Sequence, residues 1–464
     1  MEPLTLTQIA AFAGGSLVAG EPVTSISKIS TDSRTLQSGD LFVPLRGENF
    51  DGHKFVQRAV ERGAAGAMVE ENWKGTTPAN FALIRVPDTL AGYQTLAANY
   101  RASLPLKVIA ITGSNGKTST KDFVAATLAK KFRVTKTEGN FNNHVGLPQT
   151  ILAANPDDEI AVWEIGMNHP GEIAALAKLA APNVAIVTNV GIAHIEFMGS
   201  REAIALEKGA LAEAVGANGT VILNADDAFS EEVAKRTRAR IVLAGIEKGS
   251  VRASDVRQSA TGSEFTILEG AHRCRAQLPV PGVHMVLNAM LAVAAGRAFG
   301  LSLEECAVGL ASTPLTKARL QITEINGIQF IDDSYNANPD SMKAALRTLI
   351  ELDADGRRVA VLGEMGELGG ESERGHREVG EAAAALNVDE LIAVGPAGAA
   401  IARAAEKAGL ENSKAVDSPE DAAELLGENA APGDLILVKG SRTARMERVL
   451  EAFAKRRSPE EVTP

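Results

Sequence analysis

The sequence predicts an α/β protein of three domains, in which parallel sheets are covered by helices. The chain has 464 residues, enough for about three domains at roughly 150 residues each. From about residue 107 onward, short apolar runs alternate with longer amphipathic runs, as in a parallel sheet whose strands are joined by helices. Aromatic residues make up only 4% of the chain and glycine contributes 43 residues, which suits many tight strand-to-helix turns.

Composition and charge exclude several classes of protein. Apolar residues make up 45% and charged residues 23%, as in a globular protein with sizeable cores. The formal net charge of −11 argues against a nucleic-acid binder, and the two cysteines cannot form a disulfide framework. The first residues lack signal-peptide features, and no apolar run approaches the roughly 20 residues that span a bilayer. We therefore expect a cytoplasmic protein without membrane insertion, and we expect a monomer.

The first 100 residues differ from the rest and predict a small α/β domain. Strand-like segments at 27–30 and 41–44 precede a helix predicted over 54–62. We assign residues 1–100 to this N-terminal domain.

Residues 101–313 predict a central domain of the P-loop ATPase type, built on a parallel sheet. The continuous apolar runs typical of buried strands lie at 107–112, 160–165, 184–189, 220–224 and 241–244. A helix is predicted over 118–132, where Val124, Leu128 and Phe132 share one face, and another over 284–299. Short strand-like pieces between 251 and 280, such as 264–268, predict a small antiparallel addition.

Residues 314–464 predict a Rossmann-like C-terminal domain. Strands are expected at 328–331, 359–362, 391–394 and 435–438, with helices between them. The boundary is placed at Ser312-Thr313-Pro314, where turn-forming residues interrupt the pattern.

A glycine-rich loop between the first central strand and its helix predicts nucleotide binding. Gly113-Ser114-Asn115-Gly116-Lys117-Thr118 is two residues shorter than the general P-loop pattern. Glycines allow the backbone N–H groups and the helix N-terminus to surround a phosphate. Lys117 would contact the β- and γ-phosphates, the Thr118 hydroxyl would coordinate Mg²⁺, and Ser119 extends the contact. The loop indicates a nucleoside triphosphate without distinguishing a kinase, an ATPase or a ligase.

Glu164 ends the strand predicted at 160–165, on the side where open α/β sheets bind ligands. An isolated glutamate there would be a solvated strand-end acid. Because it follows a P-loop, we predict that Glu164 holds Mg²⁺ as a Walker-B acid does.

Several motifs, in order along the chain, resemble the Mur ligase family. The loop at 112–118 reads T-G-x-N-G-K-T, as in the central domain of that family. Two further groups of segments also match: 31–34, 39–42 and 51–53 resemble its N-terminal uridine-nucleotide domain, and 139–144 and 332–339 resemble the member that uses D-alanyl-D-alanine.

The resemblance implies ATP-dependent amide bond formation during peptidoglycan synthesis. D-Alanyl-D-alanine would be joined to UDP-N-acetylmuramoyl-tripeptide through an acyl phosphate, giving UDP-N-acetylmuramoyl-pentapeptide, ADP and phosphate. One alternative is another amide ligase of the superfamily, either diamino-acid-adding or folyl-polyglutamate-like, with different acceptor pockets. A second alternative is a nucleotide-binding regulator without turnover. Segments 140–143 and 332–339 favour the dipeptide ligase.

The resemblance also implies roles for metal- and nucleotide-binding residues, with two Mg²⁺ ions. His194 would be a ligand or neighbour of the second ion, and Lys208 would be carbamylated, which turns a cation into an anionic oxygen ligand. Carbamylation requires a neutral amine, and burial near other cations lowers a lysine pKa. Asn288 would contact the adenine edge, Arg319 would reach the γ-phosphate from the hinge, and Asp333 would contact the ribose or metal region.

Substrate contacts are implied for a further set of polar residues, since asparagine amides can both donate and accept hydrogen bonds. Residues 439–442 could offer cations and a helix N-terminus to a carboxylate. The implied contacts are Ser33 and Arg34 to the uridine diphosphate, Asn140, Asn142 and Asn143 to the muramoyl peptide, and Asn336 and Asn338 to the dipeptide.

Overall fold

A computed structural model of the chain describes residues 1–47 and 49–457. Three sheets of five, nine and six strands organise these residues, with two further two-stranded sheets near the N-terminus. Helices cover the sheets, so the predicted α/β class with three domains is confirmed. None of the helices within the described residues is long and apolar enough to cross a membrane.

The N-terminal sheet is small and mixed. Its elements are β1 (Leu4–Thr5), α1 (Leu6–Phe12), β2 (Ser16–Ala19), β3 (Ser25–Ile26), β4 (Ile29–Ser30), β5 (Leu41–Phe42), β6 (Arg46–Gly47), β7 (Phe50–Asp51), α2 (Val56–Glu61), β8 (Gly66–Glu70), β9 (Ala82–Val86) and α3 (Thr89–Ser103). The strand order is β2-β9-β8-β5-β4, with only β2 antiparallel to its neighbour.

Three predictions for this region need correction. Of the strand expected at 27–30, only residues 29–30 form a strand, β4, because the chain leaves the pairing of β3 with β1 and joins the larger sheet beside β5. The strand expected at 41–44 ends at Phe42, and the helix expected over 54–62 begins as a 3₁₀ turn at Gly52–Phe55 before α2. β8, β9 and α3 were not predicted from the sequence, partly because β8 contains Gly, Ala and Glu, which are depleted in strands.

The central sheet is largely parallel with an antiparallel end. Its elements are β10 (Lys107–Thr112), α4 (Lys117–Leu128), β11 (Val134–Lys136), α5 (Gly146–Ala153), β12 (Ile160–Glu164), α6 (Glu172–Ala180), β13 (Val184–Val187), α7 (Ile195–Met198), α8 (Arg201–Glu213), β14 (Thr220–Asn224), α9 (Ser230–Ala234), β15 (Arg240–Gly245), β16 (Val251–Ser259), β17 (Gly262–Glu269), β18 (His272–Leu278), α10 (Val283–Ala298) and α11 (Leu303–Ala311). The predicted strands are present, and β16, β17 and β18 form the antiparallel addition.

The order β11-β12-β10-β13-β14-β15-β16-β17-β18 places a switch point at β10. The chain leaves β10 outward to β11, returns through β12 on one side of β10, and then crosses to β13 on the other side. In open parallel sheets, ligands bind beyond the carboxyl ends of the strands at such a point. The glycine-rich loop follows β10 and therefore lies there.

The predicted bounds of two elements beside this point differ from the structure. The strand expected at 184–189 ends at Val187, because Thr188 and Asn189 turn toward the glycine-rich loop. The helix expected over 118–132 is α4, which includes Lys117 and ends at Leu128.

The C-terminal sheet is parallel except for its edge strand. Its elements are β19 (Gln321–Ile325), β20 (Ile328–Asp333), α12 (Pro339–Glu351), β21 (Arg358–Gly363), α13 (Ser372–Ala385), β22 (Glu390–Val394), α14 (Ala399–Lys407), β23 (Ser413–Val416), α15 (Pro419–Asn429), β24 (Leu435–Lys439) and α16 (Glu447–Arg457). The order is β19-β20-β24-β21-β22-β23, with β19 antiparallel to β20. The carboxyl ends of β20, β21 and β24 face the glycine-rich loop across a cleft.

Candidate active site

A cleft of about 880 Å³ lies between the central and C-terminal sheets. Most of the predicted site residues line it, although they come from distant parts of the chain. Those lining residues are Ser114, Asn115, Gly116, Lys117, Thr118, Ser119, Asn140, Asn142, Asn143, Glu164, His194, Asn288, Arg319, Asp333, Asn336 and Asn338, with Lys439, Ser441 and Arg442. Gly113, Lys208, Ser33 and Arg34 are not among them.

The glycine-rich loop is held in place by the end of β13. The Thr188 hydroxyl donates to the Asn115 carbonyl (2.6 Å), and the Asn115 N–H donates to Asn189 Oδ1 (2.9 Å). The Gly191 N–H donates to Ser114 Oγ (2.9 Å). These bonds fix the loop without occupying the N–H groups at the start of α4, which are available to an anion.

Two glycines are required by this conformation. Gly113 has a φ of +156° and Gly116 a φ of +76°. A Cβ on Gly113 would collide with Thr188 Oγ1, and a Cβ on Gly116 would lie 2.5 Å from Asn288 Oδ1. Thr188 and Asn288 therefore approach the loop backbone so closely that no residue with a Cβ atom fits at positions 113 and 116.

Lys117 begins α4 and folds back over the loop, where its Nζ donates to the Gly113 carbonyl (2.8 Å). Part of the residue faces the cleft, while protein surrounds most of the side chain. This burial lowers the pKa of Lys117; the Glu164 carboxylate opposes the shift and the Arg319 guanidinium adds to it. The amine is positioned for the phosphates predicted from the motif.

A chain of three hydrogen bonds crosses the mouth of the loop. Arg319 Nη2 donates to Thr118 Oγ1 (3.0 Å), Thr118 Oγ1 donates to Glu164 Oε2 (2.8 Å), and Asn142 Nδ2 donates to Glu164 Oε1 (2.8 Å). The Arg319 guanidinium also lies over the Tyr335 ring, 4.3 Å from its centre. Arg319 Nε is buried and forms no hydrogen bond with the described residues, so it can still donate to a phosphate oxygen.

Thr118 and Glu164 fit a magnesium ion in their chemistry. Mg²⁺ prefers oxygen ligands and is usually held by one or two carboxylates together with substrate phosphates and water. The hydroxyl and carboxylate oxygens lie side by side next to the phosphate loop. Within residues 1–47 and 49–457, three or more His, Cys, Asp or Glu side chains nowhere converge on a metal position. A metal here would therefore depend on the nucleotide for further ligands.

His194 contacts the C-terminal side of the cleft. Its Nδ1 lies 2.6 Å from Glu367 Oε2, within ion-pair distance but without hydrogen-bond geometry. Both residues have left-handed backbones, with φ of +63° and +59°, which is costly for residues other than glycine. The His194 contact holds the pKa of Glu367 below its ordinary value.

Lys208 lies on α8 below the cleft surface and is 1% exposed. Burial lowers its pKa well below the ordinary value, the nearby Lys117 charge adds to the shift, and Glu207 opposes it. The environment thus favours the neutral amine that carbamylation requires.

Asn288 is buried on α10 and lies against Gly116. The structure therefore places its amide beside the phosphate loop. Its contact with adenine stays a prediction.

Several predicted residues on the C-terminal side are already engaged by the protein. Lys439 Nζ donates to Asp333 Oδ2 (2.6 Å) and to the Asn336 carbonyl (2.9 Å). Asn338 caps α12 by accepting from the Ser341 N–H (2.9 Å), and its Nδ2 donates to Asn115 Oδ1 across the cleft (2.7 Å). Asn338 thus joins the two sheets directly.

Ser33 and Arg34 lie in the N-terminal domain, outside the cleft. Asp32 holds the Arg34 guanidinium through both carboxylate oxygens (2.9 and 2.8 Å). The structure does not bring these residues to the phosphate loop.

Sequence reasoning missed Glu367, Tyr335 and Asp340. Asp340 Oδ2 accepts from the Ile192 N–H (3.3 Å), which adds another contact between the two sides of the cleft. Glu367 follows β21 at the carboxyl end of a parallel strand. It lies four residues beyond the end of the strand at Gly363, so the strand-end rule that selected Glu164 would have selected Glu364 instead. Tyr335 lies inside the matched segment 332–339, but only the fold places its ring under Arg319.

A shortened P-loop, a strand-end carboxylate and an arginine from the linker define a three-domain protein that binds a nucleoside triphosphate. Three family models match the chain in order: "Mur ligase family, catalytic domain" at residues 25–101, "Mur ligase middle domain" at 111–296, and "Mur ligase, glutamate ligase domain" at 318–442. The chain belongs to the Mur ligase family.

Relatives and solved structures are similar over nearly the whole chain. The UDP-N-acetylmuramoyl-tripeptide--D-alanyl-D-alanine ligase of Bacillus subtilis is 40% identical, covering 96% of this chain and 97% of the relative. A crystal structure of MurF from Acinetobacter baumannii is 34% identical with a TM-score of 0.90, covering 98% and 99% of the two chains. The MurF ligase of Thermotoga maritima in complex with ADP is 30% identical with a TM-score of 0.82, covering 92% and 97%.

Proposed function

We propose that this chain joins D-alanyl-D-alanine to UDP-N-acetylmuramoyl-tripeptide at the expense of ATP, during peptidoglycan synthesis. The observation that carries the proposal is the hydrogen-bond chain Arg319–Thr118–Glu164–Asn142. It connects the phosphate loop to the asparagine segment at 139–144. The full-length similarity to the Bacillus subtilis ligase of that name supports the same reaction.

The reaction proceeds in two steps that balance in atoms and charge. An oxygen of the tripeptide carboxylate attacks the γ-phosphorus, and the bond to the β,γ-bridging oxygen breaks, giving an acyl phosphate and ADP. The dipeptide amine then attacks the acyl carbon, the C–O bond to phosphate breaks, and the amine loses a proton as the amide forms. Lys117 and the N-terminus of α4 neutralise charge on the phosphates, and Arg319 neutralises charge on the transferred group.

Two Mg²⁺ ions would supply further charge neutralisation when bound, one held by Thr118 and Glu164 and the other by His194 and a carbamylated Lys208. The second set requires Lys208 to carry the carbamate, since an ammonium is not a ligand. The burial and lowered pKa of Lys208 support this modification.

The substrates would occupy three parts of the molecule. Ser33 and Arg34 would hold the uridine end, Asn140 and Asn143 would contact the muramoyl peptide, and Asn336 with residues 439–442 would contact the dipeptide. Asn142 and Asn338 would act through the protein groups they contact, Glu164 and Asn115. A cytoplasmic location and a monomeric state stay predictions.

Mass spectrometry of a complete reaction tests the proposal. The protein, ATP, Mg²⁺ and D-alanyl-D-alanine are mixed with UDP-N-acetylmuramoyl-tripeptide containing either diaminopimelate or lysine. The expected product has the mass of the UDP-muramoyl-tripeptide plus that of the dipeptide, less water. Phosphate should be released only when both D-alanyl-D-alanine and the UDP-muramoyl-tripeptide are present. A second reaction supplies a UDP-muramoyl-dipeptide and a free diamino acid instead; product in that reaction alone would identify the diamino-acid ligase. Nucleotide binding without any product would identify a regulator.

A further inference from the structure

The linker between the central and C-terminal sheets lies along the helix that begins at the phosphate loop. The Thr316 N–H and hydroxyl both donate to Asp122 Oδ2 on α4 (3.1 and 2.7 Å). Three residues further along the linker, Arg319 donates to Thr118 on the same helix (3.0 Å). The linker is therefore attached to α4 at two points.

The two attachment points are close together in sequence both on α4 and in the linker. Thr118 and Asp122 are four residues apart on α4, so their side chains lie one turn apart on one face. Thr316 and Arg319 are three residues apart in the linker. The position of Arg319 along α4 is thus set by where Thr316 is attached.

The Asp122 carboxylate is a fixed anion in a buried position. Its side chain is 0% exposed, with Lys136 Nζ at 2.7 Å and Lys121 Nζ at 3.4 Å. Burial alone would raise the pKa of Asp122, but Lys121, Lys136 and the Thr316 hydroxyl hold it below its ordinary value. Hydrogen bonds to a carboxylate are stronger than those between neutral groups, so this attachment is a firm one.

The linker backbone around Arg319 needs such support. Ala318 and Leu320, on either side of Arg319, have φ of +59° and +52°, a region that residues other than glycine rarely adopt. Such conformations persist only where the surroundings hold them. The contacts that do so are the Thr316 attachment before Arg319 and the bond from the Tyr335 N–H to the Ala318 carbonyl (3.3 Å).

We propose that Asp122 and Thr316 are positioning residues, which deliver the Arg319 guanidinium to the phosphate loop by anchoring the linker to α4. This inference rests on the role of Arg319 toward the transferred phosphate given under the proposed function. Neither Asp122 nor Thr316 lines the cleft, so both act through Arg319 and touch no substrate.

The substitution Thr316→Val tests the anchor without leaving the Asp122–Lys121–Lys136 charges unbalanced. It removes the hydroxyl while keeping the shape of the side chain. We expect kcat for phosphate release to fall about tenfold, as for the loss of one hydrogen bond to a charged group. Thr316→Ser restores the hydroxyl and should return kcat to within about twofold of the parent. Thr313→Val is the matched control, because the Thr313 hydroxyl bonds the Gly309 carbonyl inside α11 (3.2 Å); kcat should stay within about twofold.

A double-mutant cycle separates positioning from structural support. Thr316→Val is measured again in an Arg319→Ala background, where we expect less than about a twofold further loss, since the residue that is positioned has been removed. An equal tenfold loss in both backgrounds would overturn the inference and leave the proposed function standing. If Arg319→Ala itself leaves kcat unchanged, the role of Arg319 in the proposed function is wrong, and the inference fails with it.

Discussion

The two walls of the cleft are built differently. On the central wall, residues 113–119 and Glu164 are placed by neighbouring strands of one sheet, and the Lys117 and Thr118 side chains donate to groups of the same wall. On the C-terminal wall, Asn338 and Arg319 donate across the cleft to Asn115 and Thr118, and Glu367 lies at ion-pair distance from His194. The side chains of the central wall are therefore held by contacts within that wall. Asn338, Glu367 and Arg319 on the C-terminal wall depend on contacts with the central wall.

The two walls are therefore expected to have different functions, nucleotide binding on the central wall and closure of the cleft on the C-terminal wall. A nucleotide site formed by one sheet needs no domain movement to exist, whereas we expect the cross-cleft contacts to open for substrates and to close again to exclude water from the acyl phosphate. Substitutions in the central wall should therefore abolish the chemical step. Those in the C-terminal wall, apart from Arg319, should weaken closure by smaller factors.

The largest effect is expected from Lys117→Ala on the central wall. The variant removes the cation that we propose contacts the transferred phosphate, and kcat should fall by about 10³-fold, measured as phosphate release. The exposed Lys130, just beyond the end of α4, provides the control Lys130→Ala, whose kcat should be unchanged. Activity of Lys117→Ala within tenfold of the parent would contradict the assignment of the loop.

Lys208→Met should also remove activity while leaving the fold intact. The buried position has room for an apolar side chain, but the variant cannot be carbamylated. Circular dichroism checks the fold, and near-normal phosphate release would exclude the carbamate role.

The same variant gives a prediction for stability against pH. The pKa of Lys208 in the folded state lies well below the ordinary lysine value of 10.5 because the side chain is buried, so the unfolded state binds more protons between the two pKa values. The free energy of unfolding of the parent should therefore rise with pH across that window in CO₂-free buffer. Lys208→Met should show a flatter profile, measured by urea unfolding; identical slopes would mean that the amine keeps its charge in the folded state.

Glu367→Gln should have a moderate effect on the C-terminal wall. Loss of the contact with His194 weakens closure, so kcat/KM should fall by about three- to tenfold with little change in thermal midpoint. Glu371→Gln is the matched control, since that residue pairs with Arg374 on the surface. Equal kinetic effects of both substitutions would show that Glu367 has no special role in closure.

The smallest effects are expected at Asn338, which both caps α12 and crosses the cleft. Asn338→Asp keeps the cap acceptor but loses the donor to Asn115, so kcat/KM should fall a few-fold at nearly constant stability. Asn338→Ala also loses the cap, at about 1 kcal/mol. Ser418→Ala, which removes the cap of α15, should cost a similar amount of stability with no kinetic change. A kinetic loss in Ser418→Ala equal to that of Asn338→Asp would remove the distinction between the walls.

The two walls also differ in how many of their site residues could be predicted from the sequence. The residues of the central wall follow local rules: a loop after an apolar strand, then a carboxylate at the end of the neighbouring strand. Sequence reasoning therefore placed Lys117, Thr118 and Glu164 in one site, and the structure brings them together. Their chemical roles, and the boundaries at 100/101 and 313/314, stay predictions.

The C-terminal wall depends on long-range contacts that no local pattern encodes. That Asn338 bonds Asn115, 223 residues away in sequence, follows only from the packing of two sheets. The left-handed conformations of His194 and Glu367 and the anchoring of Thr316 by Asp122 were likewise invisible in the sequence. The missed strand β8 has a related origin, since its burial between β5 and β9 overrides weak strand propensity.

Transfer of ¹⁸O from the substrate carboxylate to phosphate tests directly whether an acyl phosphate forms at the phosphate loop. UDP-N-acetylmuramoyl-tripeptide is labelled with ¹⁸O in the reacting carboxylate and converted with ATP, Mg²⁺ and D-alanyl-D-alanine. We expect each released phosphate to carry one ¹⁸O from that carboxylate and the nucleotide product to be unlabelled ADP. Phosphate without label, or label appearing in AMP, would contradict this expectation.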